Sequence, residues 1–290
     1  MPVGLKSERN YNNNYYFIHL PADVMFLEVF VDPFVYFCVS CIFVPILVDR
    51  EHLTYADVIG YLTEPAMLFA AALLFIAVAE AKIARWRYRS PPLSTFYERM
   101  RARWYLLNGV VIHIFMDGLV GVFKASTLLA RNYEKFDKRY GAALGNFEGS
   151  AVHVVSLMEL FVKGPLCILL YRAYQTHSRH RDALEFFSCV TQAYGTVVYI
   201  GEEIISGMPH LDVDYNLEFT THYLLYFWFA IVFGCLCYLF VPCWWGWQAY
   251  KRLVAASSHP ARKGMSARAV HPPPPPPSFS FSPLKLKKTK

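Results

Sequence analysis

The stretch Asn108–Phe123, NGVVIHIFMDGLVGVF, reads as the middle of a membrane-spanning helix, yet it carries His113 and Asp117, four residues apart. That spacing sets both side chains on one helical face. An ionisable group at bilayer depth is costly and ordinarily faces a bundle interior or a wet cavity. Two on one face predict a polar pocket inside an apolar bundle. A His–Asp pair that merely knits helices together would leave the same pattern.

Around this stretch the chain is greasy. Of its 290 residues, 55% are hydrophobic and 17% aromatic, and the mean hydropathy is +0.27. The apolar residues fall into blocks near the length that crosses hydrocarbon. These blocks run over about 24–48, 60–84, 104–128, 150–171, 182–206 and 219–250. They predict an all-α, polytopic membrane helix bundle of about six transmembrane helices. No cleavable signal peptide is expected, because residues 1–20 are polar and Asn/Tyr-rich.

The net charge of +6 does not point to nucleic acid, since Lys and Arg gather in loops and tail. Basic loops at 85–103 and 172–181 and a basic tail alternate with acidic loops at 49–57 and 207–218. The positive-inside rule then places both termini in the cytosol. All seven cysteines lie in apolar segments, and Cys38 and Cys41 form a lone CxxC without a second ligand pair, so no metal centre is expected there. The run HPPPPPPS at 271–278 favours a stiff polyproline II spacer. Lys287 and Lys288 stand fourth and third from the end, as in a dilysine retrieval signal of the endoplasmic reticulum.

Three blocks bring polar groups to one depth. At about 1.5 Å per helical residue, His113 and Asp117 lie roughly 15 and 21 Å from Arg103. Glu159 lies roughly 20 Å from Arg172, and Gln192 roughly 16 Å from Arg181, on the same side. Lys163 follows Glu159 by four residues, so an ion pair between them competes with a catalytic role for Glu159. The layer holds carboxylates, an imidazole and many aromatic rings. Neither a phosphate-cradling loop, a nucleophile elbow nor a dinucleotide fingerprint accompanies it. Such a set suits proton addition and removal on an apolar substrate, with aromatic faces steadying a cation and no cofactor.

The pieces IHIFMDG (112–118), YEKFDKRY (133–140), GPL (164–166), QAYGTVVYIGEE (192–203) and YFWFAIVF (226–233) together resemble the emopamil-binding protein family. These are the sterol Δ8–Δ7 isomerases of the EXPERA superfamily. The resemblance covers about residues 58–250. It implies five family helices, preceded by a polar segment (1–22) and an extra N-terminal helix with its loop (23–57), and followed by a disordered basic tail (251–290).

It also implies an endoplasmic-reticulum isomerase that moves a carbon–carbon double bond in a sterol. His113 and Asp117 match the family's His and Glu, Glu203 its acidic residue after Q-x-Y-G, and Trp228 an aromatic of the last helix. The family's fourth-helix Glu falls on Ser156, with Glu159 three residues later. Its last-helix Asn and Trp fall on Cys235 and Tyr238. The expected catalytic residues are His113, Asp117 and Glu159. Ser156, Gln192, Tyr194, Glu203, Trp228, Cys235 and Tyr238 are expected to bind substrate, and no cofactor or metal is expected. The expected partners are a sterol or sterol-like lipid, membrane lipids and a second copy of the chain, with no nucleic acid. The altered positions keep two alternatives open: an isomerase or cyclase of a terpenoid or other specialised metabolite, and a non-catalytic sterol- or ligand-binding membrane protein.

Overall fold

The computed structural model describes residues 32–135, 137–141, 151–211 and 219–258. The N-terminal polar segment, the proline-rich tail and the Lys287/Lys288 pair lie outside these. The described residues form an all-helical membrane protein, without strands.

In chain order the helices are α1 (Pro33–Val48), α2 (Tyr55–Leu62), α3 (Pro65–Arg87), α4 (Phe96–Leu107), α5 (Thr127–Glu134), α6 (Ala151–Met158), α7 (Gly164–Gln175), α8 (Arg181–Ser206) and α9 (Gly234–Ser258). Three π-helical stretches complete the rods. Asn108–Val122 prolongs α4, Glu159–Lys163 joins α6 to α7, and Tyr223–Phe233 leads into α9.

Local signals set the boundaries. Pro65 opens α3 at a position where its missing N–H is no loss. Pro91-Pro92 stops the preceding chain, and Thr95 caps α4 by accepting from the Glu98 N–H at 3.2 Å. The helix therefore starts inside the stretch read as a loop to residue 103, and Arg99, Arg101 and Arg103 are helical. Arg101 is buried against Glu185 of α8 at 3.0 Å, which no loop arginine would be. Gly207, at φ +83°, ends α8, and the Met208 N–H returns to the Glu203 carbonyl at 2.7 Å.

Among the described residues, four helical rods are long and apolar enough to cross a membrane: Pro65–Arg87, Phe96–Val122, Ala151–Gln175 and Tyr223–Ser257. Their outer faces carry Phe75, Ile76, Ile83, Phe161, Phe233 and Phe240 exposed, a surface suited to lipid rather than water. The remaining two of the six expected spans, in helices α8 and α1, fall outside this length-and-composition set, each for a physical reason. Helix α8 has the length, but Glu185, Ser188, Gln192, Thr196 and Glu203 form a buried polar stripe along it. Helix α1 has 16 described residues, below the length of a crossing. Helix α8 packs along α9 more extensively than any other pair.

Two glycines set the distance between the rods that matter. A Cβ on Gly109 would lie 2.9 Å from the Gly164 carbonyl oxygen, and one on Gly164 would lie 2.5 Å from Ile114 Cγ1. The backbones of 108–122 and of α7 therefore approach as only small residues allow. This contact lies about one turn from His113 on one rod and from Glu159 on the other.

Candidate functional site

His113 is the centre. It is fully buried, and its two ring nitrogens face different helices. Nδ1 lies 3.3 Å from Asp117 Oδ2 and 3.7 Å from Glu159 Oε1. Nε2 lies 3.1 Å from Gln192 Oε1 on α8. With that amide oxygen as acceptor, Nε2 carries a hydrogen and Nδ1 is the nitrogen shared with the carboxylates. Asp117 is fixed from its other side, where the Tyr133 hydroxyl of α5 donates to Oδ1 at 2.5 Å.

The π-helical stretches bear on this geometry. His113 and Asp117 sit in one, and Glu159 opens another. Such stretches are rare and occur often at functional sites. Ser156, on the turn before, is buried and meets the Tyr140 hydroxyl at 3.3 Å. The carboxylate that reaches His113 is thus Glu159, three residues after the position the resemblance marks.

Lys163 does not form the neutralising pair with Glu159. Its ammonium turns to α8, where it donates to the Ser188 carbonyl, to Ser188 Oγ at 3.0 Å and to Thr191 Oγ1 at 3.1 Å. A cavity of about 10 Å³ lies beside it, lined by Asn108, Lys163, Cys167, Ser188 and Gln192 among others.

The remaining expected residues divide. Tyr194 is 70% exposed, on the outer side of α8, and does not line the site. The reason is helical phase: two residues beyond the inward Gln192 is about 200° around the helix. Tyr238 donates its hydroxyl to Asn108 Oδ1 at 2.6 Å and packs on Trp104, nearer the basic end. Trp228 stacks on Phe219 with centroids 5.2 Å apart, and its indole N–H is buried without a partner among the described residues. Cys235 packs in the same cluster as Trp228, with Leu211, Phe227 and Ile231.

Glu203 is held elsewhere too. It is fully buried, 3.2 Å from Arg139 Nη1, and its Oε1 meets His210 Nδ1 at 2.8 Å. Arg139 also pairs with Asp137 and Glu202, each at 2.8 Å, while the Tyr199 hydroxyl donates to Asp137 Oδ2 at 2.7 Å. This network ties the segment 137–141 to α8. Burial alone would disfavour the charged guanidinium, but the Asp137 carboxylate overrides it and holds Arg139 above its ordinary range.

Sequence reasoning missed Tyr133, Tyr140, Asp137 and Arg139 as parts of the site's frame. Their one signal was the motif YEKFDKRY itself, which carried the resemblance without assigning these residues a role. The rings of Tyr133 and Tyr140 lie 4.3 Å apart, and through them the loop reaches both Asp117 and Ser156.

Comparison with known proteins finds similarity over part of the chain. Residues 131–249 match the family described as EBP: EXPERA (EXPanded EBP superfamily). The chain is similar to the mouse (Mus musculus) 3-beta-hydroxysteroid-Delta(8),Delta(7)-isomerase, with 25% identity over 60% of this chain and 73% of that one. It is similar to the rat (Rattus norvegicus) protein of the same name, with 27% identity over 62% of this chain and 75% of that one. The guinea-pig (Cavia porcellus) protein of that name is 22% identical over 60% of this chain and 75% of its own.

Proposed function

We propose, from the match of residues 131–249 to the EXPERA (EXPanded EBP superfamily) model, that this chain is a membrane isomerase that shifts a sterol double bond from Δ8 to Δ7. One observation carries the reading: two carboxylates from different helical rods, Asp117 and Glu159, meet one buried imidazole. The names of the similar proteins support the sterol and the direction of the shift.

The chemistry balances without a cofactor. One carboxylic acid gives its proton to C9 of the C8=C9 double bond, leaving a cation at C8. The other carboxylate removes a proton from C7, and that C–H electron pair becomes the C7=C8 bond. His113 Nδ1 stands between the two groups and returns the proton from acceptor to donor. Gln192 holds the imidazole through Nε2, and Tyr133 holds Asp117. General acid–base catalysis of this kind contributes about 10²–10⁴-fold.

Glu159, with its side chain 19% exposed, is the member of the cluster open to an entering lipid. The ring system enters between the rods beside it. The protein works in a membrane, that of the endoplasmic reticulum as the family resemblance implies, with both ends in the cytosol, a reading supported by the distribution of basic loops.

The test is sterol analysis in cells that lack their own Δ8–Δ7 isomerase and express this chain. Conversion of accumulated Δ8-sterol to Δ7-sterol is expected. Persistent Δ8-sterol in cells that contain the protein in their membranes would remove the assignment.

A further inference from the structure

The cluster has a second property. The nearest atoms of His113, Asp117 and Glu159 all lie within 4.8 Å of one another. Ligands around a tetrahedral ion bound at about 2.0–2.1 Å stand roughly 3.3–3.4 Å apart. The His113–Asp117 separation of 3.3 Å equals that edge, and His113–Glu159 at 3.7 Å is close to it. The third edge, Asp117–Glu159, lies within the same 4.8 Å, and Glu159 is the more exposed of the two carboxylates and so the freer to adjust.

The surroundings are those of a metal site as well. A ligating histidine donates its other N–H to a carbonyl or carboxylate, which fixes the ring, and ligating carboxylates are themselves hydrogen-bonded. Here Gln192 Oε1 faces Nε2 at 3.1 Å, which leaves Nδ1 as the ring nitrogen on the side of the carboxylates. Asp117 Oδ1, the oxygen turned away from His113, accepts from Tyr133. The fixed cation nearest in sequence, Lys163, is engaged by Ser188 and Thr191 on α8 and leaves the carboxylates to another positive charge.

We propose that His113 Nδ1, Asp117 and Glu159 bind one divalent transition-metal ion, Zn²⁺ or Co²⁺, and that the bound ion blocks the isomerase. The ion takes the two carboxylates and the nitrogen lone pair that the proton transfers need, so occupancy and turnover exclude each other. Imidazole with two carboxylates suits Zn²⁺ better than Mg²⁺ or Ca²⁺, which favour all-oxygen sites. The inhibitory half of the proposal rests on the sterol-isomerase reading; the binding half does not.

The test uses the full-length, untagged chain in lipid nanodiscs, stripped with chelator and then titrated with Co²⁺. One tightly held equivalent with the visible absorption of a low-symmetry, four- or five-coordinate ion is expected, and Zn²⁺ should displace it. H113N, D117N and E159Q should each abolish the bands while keeping the wild-type melting profile. Q192L should weaken binding by about 10–100-fold, as loss of such outer partners does. A folded wild type that binds no stoichiometric Co²⁺, or bands unchanged in those three variants, would overturn the site. Zn²⁺ should also stop Δ8–Δ7 turnover reversibly, with chelator restoring it. Full turnover with the ion bound would overturn the inhibition. Binding without isomerase activity under any condition would instead count against the function proposed above and leave the site standing.

Discussion

His113 illustrates what one buried side chain needs. An imidazole in an apolar bundle has two nitrogens to satisfy, and this one satisfies them on separate rods. Replacing Gln192 by Leu removes the acceptor of Nε2 and frees the ring to choose its tautomer. Turnover should fall by roughly 10–100-fold with little change in KM, since about 1.4 kcal/mol is a factor of ten and a hydrogen bond to a charged group is worth ~1.5–3 kcal/mol. Tyr133→Phe should act in the same direction through Asp117. Steady-state kinetics in nanodiscs checks both. The pair His113 and Asp117 was legible because their four-residue spacing stands out in an apolar run. Glu159 was legible as an intramembrane charge. Gln192 was expected to bind substrate rather than to hold His113, because its partner lies 79 residues away. Tyr194 was misread, although its phase relative to Gln192 was available in the sequence.

A residue outside the bundle gives a pH prediction. The Thr54 hydroxyl and backbone N–H both donate to Asp57 at the start of α2, at 2.7 and 2.8 Å. Those bonds hold the Asp57 carboxyl below the usual carboxylate range. A depressed carboxylate stabilises the folded form above the unfolded pKa, near 3.9, and loses that contribution as pH falls through the folded value. Amide exchange in the first turn of α2 should therefore accelerate as pH is lowered from about 4, after correction for intrinsic rates. Thr54→Val should shrink the step, leaving the part due to the backbone N–H.

At the level of elements, the crossing of 108–122 with α7 governs whether Glu159 reaches His113. Gly109 and Gly164 let the two backbones meet, and a branched side chain has no room at either position. Gly109→Val should cost about 1–3 kcal/mol through overpacking and should lower turnover beyond what the loss of folded protein explains. Thermal melting in nanodiscs together with activity per folded molecule separates the two effects. This contact was not legible, because a glycine in a span looks the same whether it faces lipid or a neighbour. Nor were the π-helical stretches, since an i→i+5 ladder leaves no mark in composition. Helix α8 was legible as an element, but of its polar stripe only Gln192 and Glu203 were singled out, and Glu185, Ser188 and Thr196 were not. The stripe is what turns Gln192 toward His113.

For the molecule as a whole, apolar block lengths disclosed the membrane class, and the order of motifs disclosed the family. The number of crossings was not so readily disclosed, because hydropathy cannot tell a polar helix that faces its neighbours from one that faces water. The Arg139 network is the other feature of this scale. A buried guanidinium joins Asp137, Glu202 and Glu203 and fastens the segment beneath Tyr133 and Tyr140 to α8. Arg139→Leu would leave those carboxylates without their cation, a loss of about 3–5 kcal/mol for a broken buried pair. The expected outcome is a sharp fall in membrane-accumulated folded protein, measured by fluorescence-detected size exclusion, whereas Arg139→Lys should recover part of it.

The proposed isomerase activity depends on Asp117 and Glu159 trading a proton across a bound lipid. The most direct measurement is Δ8–Δ7 turnover by wild type, D117N and E159Q at matched folded concentration in sterol-containing nanodiscs. Each variant should lose at least about 100-fold in kcat while retaining KM within a few-fold. Wild-type turnover in both variants would contradict the account.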